Sequence, residues 1–451
     1  MKTIKVFTAF AGYDSQMMAL KRLEESMNHA IKFTLVGWCE IDEDAIRSHN
    51  AVFPEYKQEF DPATGTGYHH KDITKSDWSR VPYFDLFIYS SCCQDLTRTG
   101  NQRGLEEGSG TRSSLIWYCR EAIRIIRPQW ALLENVQALV EHTFMPSFIK
   151  WQRSVDALGY RSTWQVLNAA NYGIPQARNR VFMLSTRQDL GQVYRFPQRI
   201  PRNISLCDYL DDTVAENYYC TNTDTLHFIR SVSGYKMADR YPTSLTNVRG
   251  GEIARDLYTG RPIQIVTPTC RGGDCAPTIT ATAYANATYR NAVTLGYFPK
   301  MLVVEVWQSC SAQELDYASL LTGEPSDGGV TNGSKDKIIS TVNSLLPGQY
   351  VRLRKLTPRE LLRLMGVSER DIDKMTMSGV QESQLYKQAG NSIVVDVLYH
   401  IFRSLFEHAP EVCKSLSGTY CPNTRPRHTN VCKRVLHKSR CRAHQHYSDT
   451  C

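Results

Sequence analysis

The sequence predicts an α/β fold, a parallel sheet with helices on both faces, joined by a smaller and irregular β-rich region. Three observations lead there. Short apolar runs of strand length alternate with helical spacing through the first half of the chain. From about residue 200 to 346 the helical periodicity fades, and short β-prone runs alternate with Gly, Asn and Pro. Helix-like periodicity returns at 356–366 and 394–406, as if the chain comes back to its first domain.

In chain order, residues 4–10 form an apolar run that ends at Ala11-Gly12, and Met17, Met18, Leu20 and Leu23 follow at helical spacing. Residues 33–38 read as a second strand and 42–50 as a short helix. Residues 84–90 (FDLFIYS) read as a buried strand, 115–126 as a helix and 130–133 as another strand. In the middle, 263–266, 278–282 and 301–307 are β-prone, and 324–337 (EPSDGGVTNGSKDK) is a polar loop. The expected division is 1–195, 196–350, 351–410 returning to the first domain, and a tail at 411–451.

Composition is globular, with 42% hydrophobic and 22% charged residues among 451. No apolar run approaches the roughly 18–20 residues of a membrane span, so no membrane partner is expected. The start faintly imitates a signal peptide, but Lys5 interrupts its short apolar stretch, and the expected location is the cytoplasm. Of the net +8, the tail carries +6, with eight Lys/Arg against two acids; the body is nearly neutral and only permits a nucleic-acid partner. Five of the 14 cysteines lie in that tail, among His428, His437, His444 and His446, at spacings that match no standard zinc finger. The tail is expected to be solvated and poorly ordered, and no metal site is expected.

In open α/β sheets ligands sit beyond the carboxyl ends of the strands. Four predicted strand ends carry unusual residues: Gly12-Tyr13-Asp14, Glu40-Ile41-Asp42, Cys92-Cys93-Gln94 and Glu134-Asn135. Each alone reads more simply as a turn, a helix start or a small buried cysteine. Together they suggest a site. A Cys at a strand end can be a nucleophile, and a neighbouring Glu can hydrogen-bond or protonate a substrate. Gly12 permits close approach of a nucleotide-like cofactor, and Glu40, 28 residues on, is placed for ribose hydroxyls. The turn lacks a full GxGxxG, so an adenosine cofactor without phosphates fits better than a dinucleotide.

These residues spell out a family. The segments FAGYD (10–14), EID (40–42), KDIT (71–74), CCQDLTRTGNQRGLE (92–106), GTRSSL (110–115), LENV (133–136), LNAANYGIPQARNR (167–180), RKLTPRELLRLMG (354–366) and KQAGNSIVV (387–395) occur in one order. With them the chain resembles the DNA (cytosine-5) methyltransferases. The resemblance implies a Rossmann-like S-adenosylmethionine-dependent methyltransferase sheet with a target-recognition domain in the middle. It also implies S-adenosyl-L-methionine as cofactor and double-stranded DNA as substrate, with a flipped base. Carried over residue by residue, Cys93 is the nucleophile on cytosine carbon 6, Glu134 meets N3 and the exocyclic amine, Arg180 meets O2, and Arg178 is a positioning residue. Phe10, Ala11, Gly12, Tyr13, Glu40, Asp72, Ile73, Cys92 and Asn391 match cofactor-side positions. Gln94, Thr99, Arg112, Gln176, Thr278 and Thr280 match DNA-side positions, the two threonines in the Thr-rich segment that starts at Ala276. A monomer is expected; a restriction endonuclease of the same system is a possible partner that the sequence leaves open.

Two residues depart from the family pattern. Cys92 stands where the family has Pro, and keeps a backbone carbonyl but not the stiffness. Asp14 stands where the family has a second Gly, and is expected to set a side chain and a charge near the cofactor. The rival readings are a non-catalytic DNA-binding protein on the same scaffold and a nicotinamide-dependent oxidoreductase. The second would need a fuller Gly fingerprint.

Overall fold

The computed structural model describes residues 2–91, 96, 104–200, 206–219, 252–253, 263–266, 276–277, 302–308 and 349–407. They belong to one unit, Met1–His408; the other unit, Ala409–Cys451, lies outside them, and with it the basic tail. Also outside are Cys92, Cys93, Gln94, Thr99, Thr278 and Thr280.

The first half runs β1 (Lys2–Ala9), α1 (Ser15–Ser26), β2 (Ile31–Cys39), α2 (Glu43–Val52), β3 (His69–His70), β4 (Leu86–Ser90), α3 (Ile116–Ile126), β5 (Trp130–Val136), α4 (Met145–Asp156), β6 (Tyr160–Asn168), β7 (Gln176–Ala177) and β8 (Asn179–Arg187). The middle contributes β9 (Glu252–Ile253), β10 (Ile263–Val266), β11 (Ala276–Pro277), β12 (Leu302–Gln308) and β13 (Gln349–Lys355). The chain ends in α5 (Pro358–Arg363), α6 (Glu369–Met377), α7 (Glu382–Asn391) and α8 (Val395–Glu407).

Seven strands form one sheet in the order β3-β2-β1-β4-β5-β8-β6. The first five are mutually parallel, as the alternating pattern predicts. β8 runs antiparallel to both β5 and β6, so the expected all-parallel sheet is in fact mixed. Each central strand feeds two cores. Val6, Leu86, Ile88, Leu132 and Leu184 face one apolar cluster; Phe7, Phe87, Tyr89, Leu133 and Met183 face the other. That is period-2 alternation with both faces buried, and it accounts for runs such as LFIYS that carry no polar residue until the end. The first cluster takes in α1 and the C-terminal helices; Phe406 of α8 packs on Phe33 and Trp130. The second takes in α3 and α4 through Ile123, Phe148 and Trp151.

β9, β10, β12 and β13 form a separate antiparallel sheet in the order β13-β12-β10-β9. The predicted runs at 263–266 and 301–307 are strands there; the run at 278–282 lies outside the described residues. The short β11 pairs in parallel with β7, so the backbone of Ala276–Pro277 lies against Gln176–Ala177.

Candidate active site

Of the residues flagged at strand ends, the described ones, Gly12–Asp14, Glu40–Asp42 and Glu134–Asn135, lie at one edge of the seven-stranded sheet, because parallel neighbours bring their carboxyl ends together. At the end of β1 the chain makes a tight turn with left-handed backbone at Phe10 (φ 57°), Gly12 (φ 61°) and Asp14 (φ 66°). A side chain on Gly12 would meet no atom within 4 Å, so open space lies over that residue. The Gly12 N–H donates to Glu40 Oε2 at 2.9 Å. Glu40 Oε1 accepts from the N–H groups of Ile41 (2.8 Å) and Asp42 (2.9 Å). A carboxylate has about four lone-pair sites, so three backbone donors hold Glu40 rigid and leave one site for a hydroxyl. Ile41 beside it is 63% exposed and offers an apolar surface to a flat ring. This donor set fits an adenosine group.

His69 supports the same turn. Its Nε2 lies 3.0 Å from the Glu40 carbonyl, which can only accept, so Nε2 carries the proton. Burial lowers the His69 pKa, which keeps the ring neutral. The ring stacks on Trp38, whose other face carries His49.

Asp72 and Ile73 follow β3. Asp72 accepts from the Thr74 N–H and hydroxyl and caps the short helix that begins at Ile73. Ile73 and Tyr13 are buried in the cores, so as cofactor contacts their side chains are largely spent on packing. Burial pushes the Tyr13 phenol up to about 12, against the opposing effects of Ser392 and Arg178.

Asp14 overturns the expectation that its charge sits by the cofactor. The residue is fully buried and points into the protein. Oδ1 accepts the Met17 N–H at 3.0 Å and caps α1, while Oδ2 accepts the Thr8 hydroxyl at 2.9 Å and lies 3.5 Å from His49 Nε2. The family glycine and this aspartate meet the same demand, a left-handed residue before a helix, and Asp is among the few others that tolerate it.

On the other side of the edge, Ser90 pairs with Glu134 across β4 and β5, and its hydroxyl donates to Glu134 Oε2 at 3.3 Å. The chain leaves the sheet there toward Cys92 and Cys93. Asn135 holds the exit by donating to the Ser91 carbonyl (3.3 Å) and hydroxyl (3.1 Å). Arg180 Nε stands 3.2 Å from Glu134 Oε1, with both side chains largely buried. Burial raises the Glu134 carboxyl above its ordinary value, outweighing Arg180, Arg178 and the Ser90 hydroxyl, which oppose the shift. A carboxyl so poised can hold a proton for a base nitrogen.

Arg178, two residues before Arg180, is 2% exposed and points elsewhere. Its Nη2 donates to the carbonyls of Gly390 (2.9 Å) and Ser392 (2.6 Å), on either side of Asn391. Arg178 therefore positions the end of α7, while the exposed Asn391 is free to face a ligand. Gln176 corrects the sequence reading. It is completely buried, and its amide donates to the Leu364 carbonyl at 2.7 Å, so its side chain does not face DNA. Arg112 is exposed at the foot of α3. Sequence reasoning missed Ser90, Ser91 and Ser392, which carry no signal beyond their neighbours in the motifs. Of the described residues, Cys39 and Cys119 are buried free thiols whose pKa values burial raises, so neither is poised as a nucleophile.

Comparisons with known proteins agree with this geometry. The sequence model of a family described as C-5 cytosine-specific DNA methylase matches residues 4–407. The type II methyltransferase M2.ScrFI of Lactococcus lactis subsp. cremoris is 28% identical over 90% of this chain and 99% of its own length. The orphan methyltransferase M.SPRI of Bacillus phage SPR is 25% identical over 90% of this chain and 98% of its own. Among solved structures, the Entamoeba histolytica methyltransferase EhMeth superposes with a TM-score of 0.55, covering 91% of this chain and 100% of that one at 14% identity, a likeness of fold.

Proposed function

The chain belongs to the C-5 cytosine-specific DNA methylase family and is a DNA (cytosine-5) methyltransferase, and on that premise we propose that it moves a methyl group from S-adenosylmethionine to carbon 5 of a cytosine flipped out of double-stranded DNA, through a covalent bond to Cys93. The observation that carries the reading is the pairing of a buried Glu134, its carboxyl raised above the ordinary value by burial, with Arg180 at the end of β5, on the sheet whose β1 and β2 ends hold the Gly12–Glu40 turn.

Bound S-adenosylmethionine would supply an electrophilic methyl group. The protein's own residues do the rest. The Cys93 thiolate adds to carbon 6, the 5,6 π pair shifts to between carbons 5 and 4, and the N3–C4 π pair moves onto N3. Glu134 gives its proton to N3 and so stabilises the charge that develops there. Arg180, held by Glu134, is aimed at the base oxygen. Once carbon 5 is methylated, its proton passes to a base, the N3 proton returns to Glu134, and the 5,6 double bond re-forms as the Cys93 thiolate leaves. Burial of Glu134 matters because an exposed carboxyl would be ionised at neutral pH and have no proton to give. Residues 196–350 are the target-recognition domain in this reading, and the backbone pairing of β11 with β7 brings the start of the Thr-rich segment to the site. The enzyme acts as a monomer in the cytoplasm. Relatives include both type II and orphan methyltransferases, so a restriction endonuclease is not part of the proposal.

The test replaces hydrogen by fluorine at carbon 5. Methylation can proceed, but fluorine does not leave as a cation, so the enzyme stays joined to the DNA. A long mixed-sequence duplex containing 5-fluorocytosine should give a denaturation-resistant complex that requires S-adenosylmethionine and maps to Cys93. Cys93→Ala should give none, and Glu134→Gln should slow its formation by about 10²–10⁴-fold. Attachment through Cys92, or no complex with cofactor binding confirmed, would defeat the assignment.

A further inference from the structure

Resting on the proposed use of S-adenosylmethionine, we infer that Lys387 of α7 and Asp42 after β2 form a positioning pair that locks the ribose-facing turn onto the returning C-terminal segment, and so sets cofactor affinity. The two residues lie 345 positions apart in sequence, yet Lys387 Nζ and Asp42 Oδ2 are 2.6 Å apart. Asp42 is a three-way joint. Its backbone N–H donates to Glu40 Oε1, its Oδ1 accepts the N–H groups of Asp44 (3.1 Å) and Ala45 (3.2 Å) to cap α2, and its Oδ2 takes Lys387. A shift of α7 is therefore transmitted to the Glu40 carboxylate through one residue.

The far end of α7 is fixed independently. Arg178 holds the Gly390 and Ser392 carbonyls, and the Ser392 hydroxyl donates to the Ser15 hydroxyl at the start of α1 at 3.1 Å. The helix thus spans the site, tied to the β1–α1 turn and the base-side strand at one end and to the β2–α2 turn one helical turn earlier. Of these ties, the one between Lys387 and Asp42 reaches the ribose side.

The pair is 42% and 33% exposed on its two side chains, a class of ion pair that adds little to folding. Its value lies in what it registers: Glu40 keeps its backbone donors without it, but the placement of α7 against that turn must then be set when the cofactor arrives, and the affinity falls by that amount. Of the neighbouring acids, Glu43 is paired with Lys71, Asp44 with Arg47, and Glu40 accepts three backbone N–H groups.

The experiment uses the full chain without DNA and titrates S-adenosylmethionine and S-adenosylhomocysteine by calorimetry. Lys387→Met and Asp42→Asn should each weaken both ligands by about three- to tenfold. The double variant should lose little more than either single one, since the two residues act as one link. Lys387→Arg should restore most of the affinity. In steady state the variants should raise the KM for cofactor while the Kd for DNA holds, a split that a general loss of folding would not give. Melting temperatures of the free proteins within about 2 °C of the parent exclude unfolding as the cause. Parental affinity in both single variants, or additive losses in the double, would overturn the pair's role. A parent that binds neither ligand would overturn the methyl-transfer reading, and the pair's role with it.

Discussion

At the scale of single residues, Asp14 carries the sharpest contrast between pattern and place. By sequence it is a glycine position lost to a charged residue; by structure its carboxylate is an internal acceptor for Thr8 and Met17. Asp14→Gly would relieve a left-handed backbone cost of roughly 1–2 kcal/mol. It would also leave the buried Thr8 hydroxyl without its partner, at about 1–3 kcal/mol, and open a void beside His49. The expected result is a net loss of about 1 kcal/mol in denaturant unfolding and no tightening of S-adenosylmethionine by calorimetry. Tighter binding would mean that the carboxylate acts on the cofactor after all. The same scale shows what the motif leaves open at Gln176 and Arg178. A motif says that a residue type is required at a position. It does not say whether the side chain meets a ligand or a backbone carbonyl of α5 or α7.

Among elements, the parallel strands and their helices are legible because each strand is buried on both faces and each helix on one, giving two distinct periods. Strand direction is not legible. The apolar run of β8 looks like those of β4 and β5, and only its pairing shows that it runs the other way. The C-terminal helices were legible in part. Thr357, Pro358 and Glu360 form a capping box that starts α5. The need for Gly366 after it is visible only in three dimensions. At φ +78° a Cβ there would stand 2.3 Å from Asp396 Oδ2 and 3.1 Å from Val395 Cβ, and Asp396 is pinned by Arg22 at 2.8 Å. Gly366→Ala should therefore destabilise the protein by about 2 kcal/mol or more, from the backbone strain and the clash together. That corresponds to a fall in melting temperature of about 4 °C or more in calorimetric scans. A neutral substitution would mean that α5 and α8 can separate without cost.

For the whole molecule, charge and the extent of the family match point to a division of labour. The match ends at residue 407, and residues 411–451 carry +6 of the net +8. Removing 411–451 should leave cofactor affinity and site preference in place, while non-specific DNA binding weakens and its dependence on salt becomes flatter. Binding isotherms at several salt concentrations measure this; an unchanged slope would show that the tail's cations do not meet phosphate. Among the described residues no helix is long and apolar enough to cross a membrane.

What the sequence determined by itself is the family and the local order of parts. Cys93, Glu134 and Arg180 stand in motifs whose order survives in one dimension, and apolar periodicity predicts strand ends at the first two. What the tertiary structure alone decided is which groups complete one another. The Glu134 carboxyl is raised because burial outweighs the opposing charge of Arg180 beside it; Asp14 turns inward because Thr8 and His49 flank it; Lys387 finds Asp42 across 345 residues. The reason is physical. Local propensity and periodicity act over a few residues and are written in neighbouring letters. Desolvation, ion pairing and buried hydrogen bonds depend on distance in space, which exists only once the sheet has brought the ends of its strands together.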